Sequence, residues 1–253
     1  MPRKPKIIED EPKLVASITA PASEAIQKLQ SNIAFAGVGG SMRVIGVTSS
    51  VQGEGKSTMI CNMAYVYALR GAKVCLVNLD LRRPSIHRFF QVKNTAGVEE
   101  YVSGEASLEE IIVHLPNGVD LINAGTRTPF PTKILSSDKM GEFFKELKAK
   151  DYDYILVDTT PSLMLPDAAL VAPYIDGYLF VCAQHVSKKK EAKATISSLQ
   201  RNGINVIGVV MTNVTDYRDV DDGYHSHYYY YDKYYKYDDK EEEEKPEEKP
   251  EAK

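Results

Sequence analysis

Six stretches of this chain are almost unbroken runs of apolar residues: MRVIGV (42–47), KVCLVNL (73–79), GVDLINA (118–124), YDYILV (152–157), YLFVCA (178–183) and NVIGVVMT (205–212). Short runs without polar alternation predict strands covered on both faces. Between them, apolar positions recur at helical spacing over 57–70, 107–115, 138–149, 166–174 and 187–202, and Ser107 followed by Glu110 has the spacing of a capping box. An earlier amphipathic helix is predicted over 23–35, with Ser23 as its N-cap and Ile26, Leu29 and Ile33 on one face. Strands alternating with helices predict an α/β fold, a mostly parallel sheet flanked by helices. Residues 1–22 carry four prolines and read as a flexible leader, 23–213 as one domain, and 214–253 as a disordered tail.

Charge sharpens this division. The net charge of −4 arises in the tail, since Asp238 to Lys253 holds nine acids and four lysines, leaving residues 1–237 near neutrality. A balanced domain with an acidic end has no footprint for nucleic acid, and the tail would be repelled by phosphodiester backbones and anionic lipid. No apolar run reaches 18 residues, and MPRKPKIIEDEPK lacks the apolar centre of a signal peptide, so a cytoplasmic protein without direct membrane insertion is expected. Cys61, Cys75 and Cys182 stand singly in apolar segments and read as buried thiols.

The chemistry enters at residues 50–57, SVQGEGKS, placed between a predicted strand and a predicted helix. That context suits a phosphate-binding loop, in which backbone N–H groups of Gly53, Glu54 and Gly55 and the helix N-terminus face phosphate oxygens. Lys56 then reaches the β- and γ-phosphates, and the Ser57 hydroxyl ligates Mg²⁺. Two carboxylates end long strands, Asp80 in VCLVNLDLRRP and Asp158 in YDYILVDTTP. Carboxyl ends of parallel strands converge on one crevice. Asp158 therefore reads as a metal-shell acid acting through water, and Asp80 as a second one that orients or deprotonates an incoming hydroxyl.

The tail holds the other half of the reaction. Eight of the sixteen tyrosines, Tyr224, Tyr228, Tyr229, Tyr230, Tyr231, Tyr234, Tyr235 and Tyr237, fall in a stretch with no aliphatic residue to pack. A nucleotide loop and a run of phenols in one chain suggest a phosphoryl donor site and its acceptors. His225 and His227 in HSH are weak evidence of metal binding without further ligands.

By SSVQGEGKST (Walker A), VNLDLRRP (Walker A′), ILVDTTP (Walker B), LPDAALVAPYIDG, GVVMTN and the tyrosine tail, the chain resembles the bacterial protein tyrosine kinases of capsule and exopolysaccharide biosynthesis, over about residues 23–237. The resemblance implies a P-loop fold, autophosphorylation of the tail with ATP and Mg²⁺, and control of polysaccharide polymerisation and export. It further implies a transmembrane adaptor of the polysaccharide co-polymerase type that recruits the protein to the membrane's inner face, a cognate tyrosine phosphatase, and ring-like homo-oligomers. By the same resemblance Thr58 is a second phosphate contact, Asn213 an adenine contact and Arg82 the Walker A′ arginine with a catalytic role.

Three features depart from the family pattern. Asn78 stands where a first Walker A′ aspartate is usual, and an amide accepts no proton. Gln27 and Gln30 replace the arginines of the family's oligomerisation helix, weakening the implied ring, and Thr160 replaces a proline after Walker B. Two other classes share the Walker elements: a partitioning or division ATPase, and a non-catalytic ATP-binding regulator of polysaccharide export. Val51, where those ATPases carry a signature lysine, and the eight tyrosines favour the kinase over both.

Overall fold

The computed structural model describes residues 20–36 and 42–215. Its strands are β1 (Val44–Ser49), β2 (Val74–Asn78), β3 (Ile112–His114), β4 (Val119–Ile122), β5 (Tyr154–Asp158), β6 (Gly177–Ala183) and β7 (Val206–Thr212). They form one sheet in the order β3-β4-β2-β5-β1-β6-β7, parallel throughout except for β3, which pairs antiparallel with β4. The α/β class expected from the alternating pattern is the observed one.

Every residue of β1, β2 and β6 is buried, as continuous apolar runs require. One sheet face packs Ile45, Val47, Leu76 and Leu156 against α2 (Lys56–Leu69), with α1 (Ala20–Ala36) contributing Ile26 and Ile33. The opposite face packs Val77, Val157 and Phe180 against α7 (Asp138–Ala149), whose Met140, Phe143, Phe144 and Leu147 line one side at helical spacing. Burying each of these phenylalanines stabilises the fold by about 1.5–3 kcal/mol. Cys61, Cys75 and Cys182 are free and buried.

Several elements differ from the expectations. The helix expected over 107–115 is a single turn, α5 (Leu108–Ile111), after which the chain becomes β3. The run Ile111-Ile112-Val113 explains this, because β-branched side chains fit a pleated surface better than a helix. Of the capping box, Glu110 does reach back, its Oε2 accepting the Ser107 N–H at 2.9 Å. α1 begins at Ala20, three residues before the expected cap, since Pro21 lies in the first turn where no backbone N–H is required. Strand β7 is not covered on both faces: among the described residues it is the sheet edge, and Val209 and Met211 are exposed. The run 166–174 divides into α8 (Asp167–Val171) and a 3₁₀ turn (Ala172–Tyr174). Three short helices escaped the periodicity, α3 (Ile86–Phe89), α4 (Val98–Ser103) and α6 (Pro131–Leu135), each too brief to repeat a pattern. The last helix, α9 (Lys189–Arg201), lies within the expected range.

The parallel strands bring their carboxyl ends to one edge of the sheet. On the β4 side that edge is stitched by close backbone contact. Val98 donates its N–H to the Asn123 carbonyl at 2.9 Å and Glu99 to that of Ala124 at 3.1 Å. Glu100 accepts from the N–H groups of Gly97 (2.8 Å) and Thr126 (3.0 Å). Gly97 has no room for a side chain, because a Cβ there would stand 2.1 Å from the Asn123 carbonyl oxygen. Gly97→Ala is therefore expected to lower stability by about 1–3 kcal/mol, as overpacking does. The urea midpoint should fall while the slope of the transition stays unchanged; an unaltered midpoint would show that the segment relaxes freely.

Candidate functional site

Strand β1 ends at Ser49, and residues 50–55 turn beneath the start of α2. Gly53 and Gly55 both adopt left-handed backbone, φ 87° and 84°, which an L side chain disfavours. Gly55 is also crowded, since a Cβ would lie 3.0 Å from Thr212 Oγ1. These glycines let the loop fold back so that α2 begins at Lys56.

Four residues expected at the site come together here. The Ser57 hydroxyl donates to Asp158 Oδ2 at 2.7 Å. Asp158 is fully buried at the end of β5, and its Oδ1 has no hydrogen-bond partner among the described residues. Lys56 is buried and acts electrostatically on Asp158. Asp80, two residues past β2, is buried as well and accepts the Arg83 N–H at 2.9 Å. Burial pushes the Asp158 carboxyl up to about 6, with Lys56 and the Ser57 hydrogen bond opposing and Asp80 adding to the rise. Desolvation thus outweighs a nearby cation.

Asn78 pairs with Asp158 in the β2/β5 register and is fully buried. Its Oδ1 accepts the Asp80 N–H at 3.1 Å, while its Nδ2 has no partner among the described residues. In-register residues of parallel strands share a face, so Asn78 sets an amide beside the Asp158 carboxylate.

Thr58 and Asn213 are exposed. Asn213 follows β7 with φ 53°, a left-handed conformation that asparagine tolerates better than most residues. Arg82 is not a solvated arginine. Its Nε donates to Asp167 Oδ2 at 2.6 Å and its Nη2 to Asp167 Oδ1 at 2.9 Å and Thr132 Oγ1 at 3.1 Å. Asp167 is buried at the start of α8, and its hydrogen bond raises the guanidinium pKa. Such a fork ties the Walker A′ segment to α6 and α8.

Sequence reasoning treated Glu54 only as a backbone contributor, but its side chain is buried and holds the loop closed. Glu54 Oε2 accepts the Val51 N–H at 2.7 Å, Ser187 donates its hydroxyl to Oε1, and Thr212 Oγ1 donates to the Glu54 carbonyl at 2.7 Å. Ser187 Oγ in turn accepts the Ala183 N–H at 2.7 Å. The loop is thereby clamped to the ends of β6 and β7. An acid inside a phosphate-binding sequence was the available signal, since it must be neutralised locally. Gln27 and Gln30 bond within the chain, Gln27 Oε1 accepting from Arg70 Nη1 at 2.8 Å and Gln30 Nε2 donating to the Tyr154 hydroxyl at 3.5 Å. The eight tail tyrosines, His225 and His227 lie outside the described residues.

Among the described residues no three His, Cys, Asp or Glu side chains converge as a protein-only metal cage. The donors at the loop are one hydroxyl and two carboxylates, which suit a hard cation that retains water and phosphate oxygens. The orphaned Asp158 Oδ1, the buried Lys56 ammonium and the left-handed glycines fit a nucleotide phosphate with such a cation. No helix among the described residues is long and apolar enough to cross a membrane.

A family model described as ParA, NUBPL iron-transfer P-loop NTPase, matches residues 41–243. Tyrosine-protein kinase YwqD of Bacillus subtilis is 32% identical over 83% of this chain and 90% of its own length. A putative tyrosine-protein kinase of the Klebsiella pneumoniae cps region is 30% identical over 81% of this chain, which spans only 29% of that relative. The kinase domain of Escherichia coli tyrosine kinase ETK superposes with a TM-score of 0.72 at 30% identity, covering 76% of each chain. The chimerical protein CapA2B2 gives a TM-score of 0.76 at 25% identity, over 85% of this chain and 95% of that one.

The Asp158 carboxyl yields a test of this charge balance without nucleotide or metal. Its pKa in the fold, about 6, lies above the ordinary 3.8. Between those values the folded protein holds a proton that the unfolded chain has lost. The group's contribution is therefore full at low pH, falls as pH rises through this window, and stays low above it. Asp158→Asn in EDTA should flatten the fall between pH 4 and 6 and raise stability at pH 7 by about 2–3 kcal/mol. An unchanged pH profile of the urea midpoint would show that Asp158 is not the group responsible.

Proposed function

Because the chain belongs to the bacterial tyrosine-protein kinases built on a ParA-type P-loop NTPase domain, we propose that it transfers the γ-phosphoryl group of ATP to its own C-terminal tyrosines. The observation that carries this reading is the meeting of Lys56, Ser57, Asp80 and Asp158 at one sheet edge in a chain that also holds eight clustered phenols.

Each role follows from the chemistry of the side chain. The N–H groups of Gly53, Glu54, Gly55, Lys56 and Ser57 are suited to phosphate oxygens, and Thr58 to a further one. Lys56 would neutralise charge developing on the transferred group, which is where phosphoryl transfer needs help most. Ser57 would ligate Mg²⁺ directly and Asp158 through water, and the cation would supply charge neutralisation of the phosphates. Asp80 would orient the tyrosine hydroxyl and receive its proton, since Asn78 cannot. Arg82 would serve by holding α6 and α8 against the Walker A′ segment, and Asn213 would contact the adenine. The acceptors are Tyr224, Tyr228 to Tyr231, Tyr234, Tyr235 and Tyr237 of a neighbouring copy.

The same reading extends to the cell. A transmembrane adaptor would recruit the protein to the inner face of the membrane, a phosphatase would reset the tail, and the cycle would regulate polysaccharide polymerisation and export. The names of relatives from capsule and exopolysaccharide systems, including CapB of Staphylococcus aureus and EpsB of Ralstonia nicotianae, support this setting. With Gln27 bonded to Arg70 rather than offered to a neighbour, homo-oligomers are expected to be weak without the adaptor.

Lys56→Met should abolish phosphate on the tail after incubation with Mg·ATP and an adaptor segment, scored by mass spectrometry, while thermal unfolding remains cooperative. Undiminished tail phosphorylation in that variant would sink the kinase reading of this loop.

A further inference from the structure

From Gly177 to Thr215 the chain carries Lys188, Lys189, Lys190, Lys193 and Arg201 but a single acid, Glu191. Lys188 pairs with Glu191 at 3.0 Å. Lys189, Lys190 and Lys193 are exposed and form no ion pair among the described residues. Lys189 and Lys190 sit in the first turn of α9, where the helix dipole disfavours cations, and Lys193 follows one turn on from Lys189 at i,i+4, where like charges repel. Neither packing nor helix formation accounts for such an arrangement.

The patch has a definite place. Ser187, its neighbour in sequence, holds Glu54 of the nucleotide loop, and the Thr212 carbonyl accepts the Gln184 N–H at 3.0 Å. The lysines therefore begin at the carboxyl edge of the sheet, beside the strand end at which the described fold closes. Beyond Thr215 the sequence continues to a run from Asp238 to Lys253 with nine acids against four lysines. Fully extended, residues 216–253 span roughly 120 Å, enough to reach an adjacent molecule.

We propose that the Lys189, Lys190 and Lys193 face of α9 is a docking surface for the acidic C-terminal run, residues 238–253, of a second copy of this chain. Charge complementarity selects the occupant: this run is the densest acidic stretch of the sequence, and the patch is its counterpart in sign. Docking there would draw the tyrosines that precede the run across the neighbour's nucleotide loop. The choice of a second copy rests on the reading above, in which one molecule's tail meets another's site. Binding itself needs neither nucleotide nor phosphoryl transfer, and the surface is absent from the residues assigned to that chemistry.

Zero-length carbodiimide coupling of the full-length Lys56→Met protein, mapped by mass spectrometry, tests this with kinase chemistry disabled. In an equal mixture of ordinary and ¹⁵N-labelled protein at low salt, Glu241 to Glu248 should couple to Lys189, Lys190 and Lys193 in mixed-isotope pairs. Yield there should exceed that at exposed Lys139, and should fall about threefold or more at 0.5 M salt, as screening of surface charges requires. Coupling spread evenly over exposed lysines, or confined within single isotopic species, would overturn the proposal. So would sedimentation with phosphatidylglycerol vesicles that is lost in the Lys189→Glu, Lys190→Glu, Lys193→Glu protein, which would assign the patch to a lipid surface. Loss of tail phosphorylation in Lys56→Met leaves these outcomes untouched, so the two readings fail separately.

Discussion

A carboxylate buried at the end of β5 sets the terms for everything around it. Asp158 is removed from water, and the Lys56 cation and Ser57 hydroxyl only partly offset the cost of its charge. The arrangement is tolerable because the rest of the fold is over-determined: strands buried on both faces, and α7 packing aromatic side chains beneath the sheet. Stability supplied by the core is thus held in reserve against a polar edge whose buried carboxylate is only partly offset by its own partners.

The parts of this fold legible in the sequence were those with strong periodicity. Runs such as VCLVNL and YILV fix strands whatever their neighbours, and the spacing of Met140, Phe143, Phe144 and Leu147 fixes a helix. Residues 107–115 were not legible, because a capping box announces where a helix starts and says nothing about where it stops. The β-branched run then paired with β4, a contact from outside the segment. β7 misled for the opposite reason: its run is as apolar as that of β6, and only the strand order reveals that no strand among the described residues lies beyond it.

At the site, the residues whose chemistry is intrinsic to a motif were readable: Lys56, Ser57, Asp158 and Asp80. Those whose meaning depends on a partner far along the chain were not. Arg82 reads as a catalytic arginine in the sequence because its buried partner Asp167 is 85 positions away, and Glu54 reads as part of a backbone cradle because Ser187 lies 133 residues downstream. Asn78 shows both sides of this. The missing carboxylate was evident, whereas its amide's bond to the Asp80 N–H and its full burial beside Asp158 belong to the fold alone.

The Thr212 hydroxyl that holds the Glu54 carbonyl belongs to β7, the last strand among the described residues. Synthesis proceeds from the N-terminus, so the loop at 50–57 is made early and its clamp very late, after more than 150 further residues. Until β7 has emerged and paired with β6, Gly55 lacks its neighbour and the loop lacks one of its ties. A nascent chain can collapse around β1, β2 and β5 and still present an unfinished loop. The loop is thereby fully tied only once β7 is in place, so a ribosome-bound fragment ending before β7 would be folded in its core without a fully secured loop.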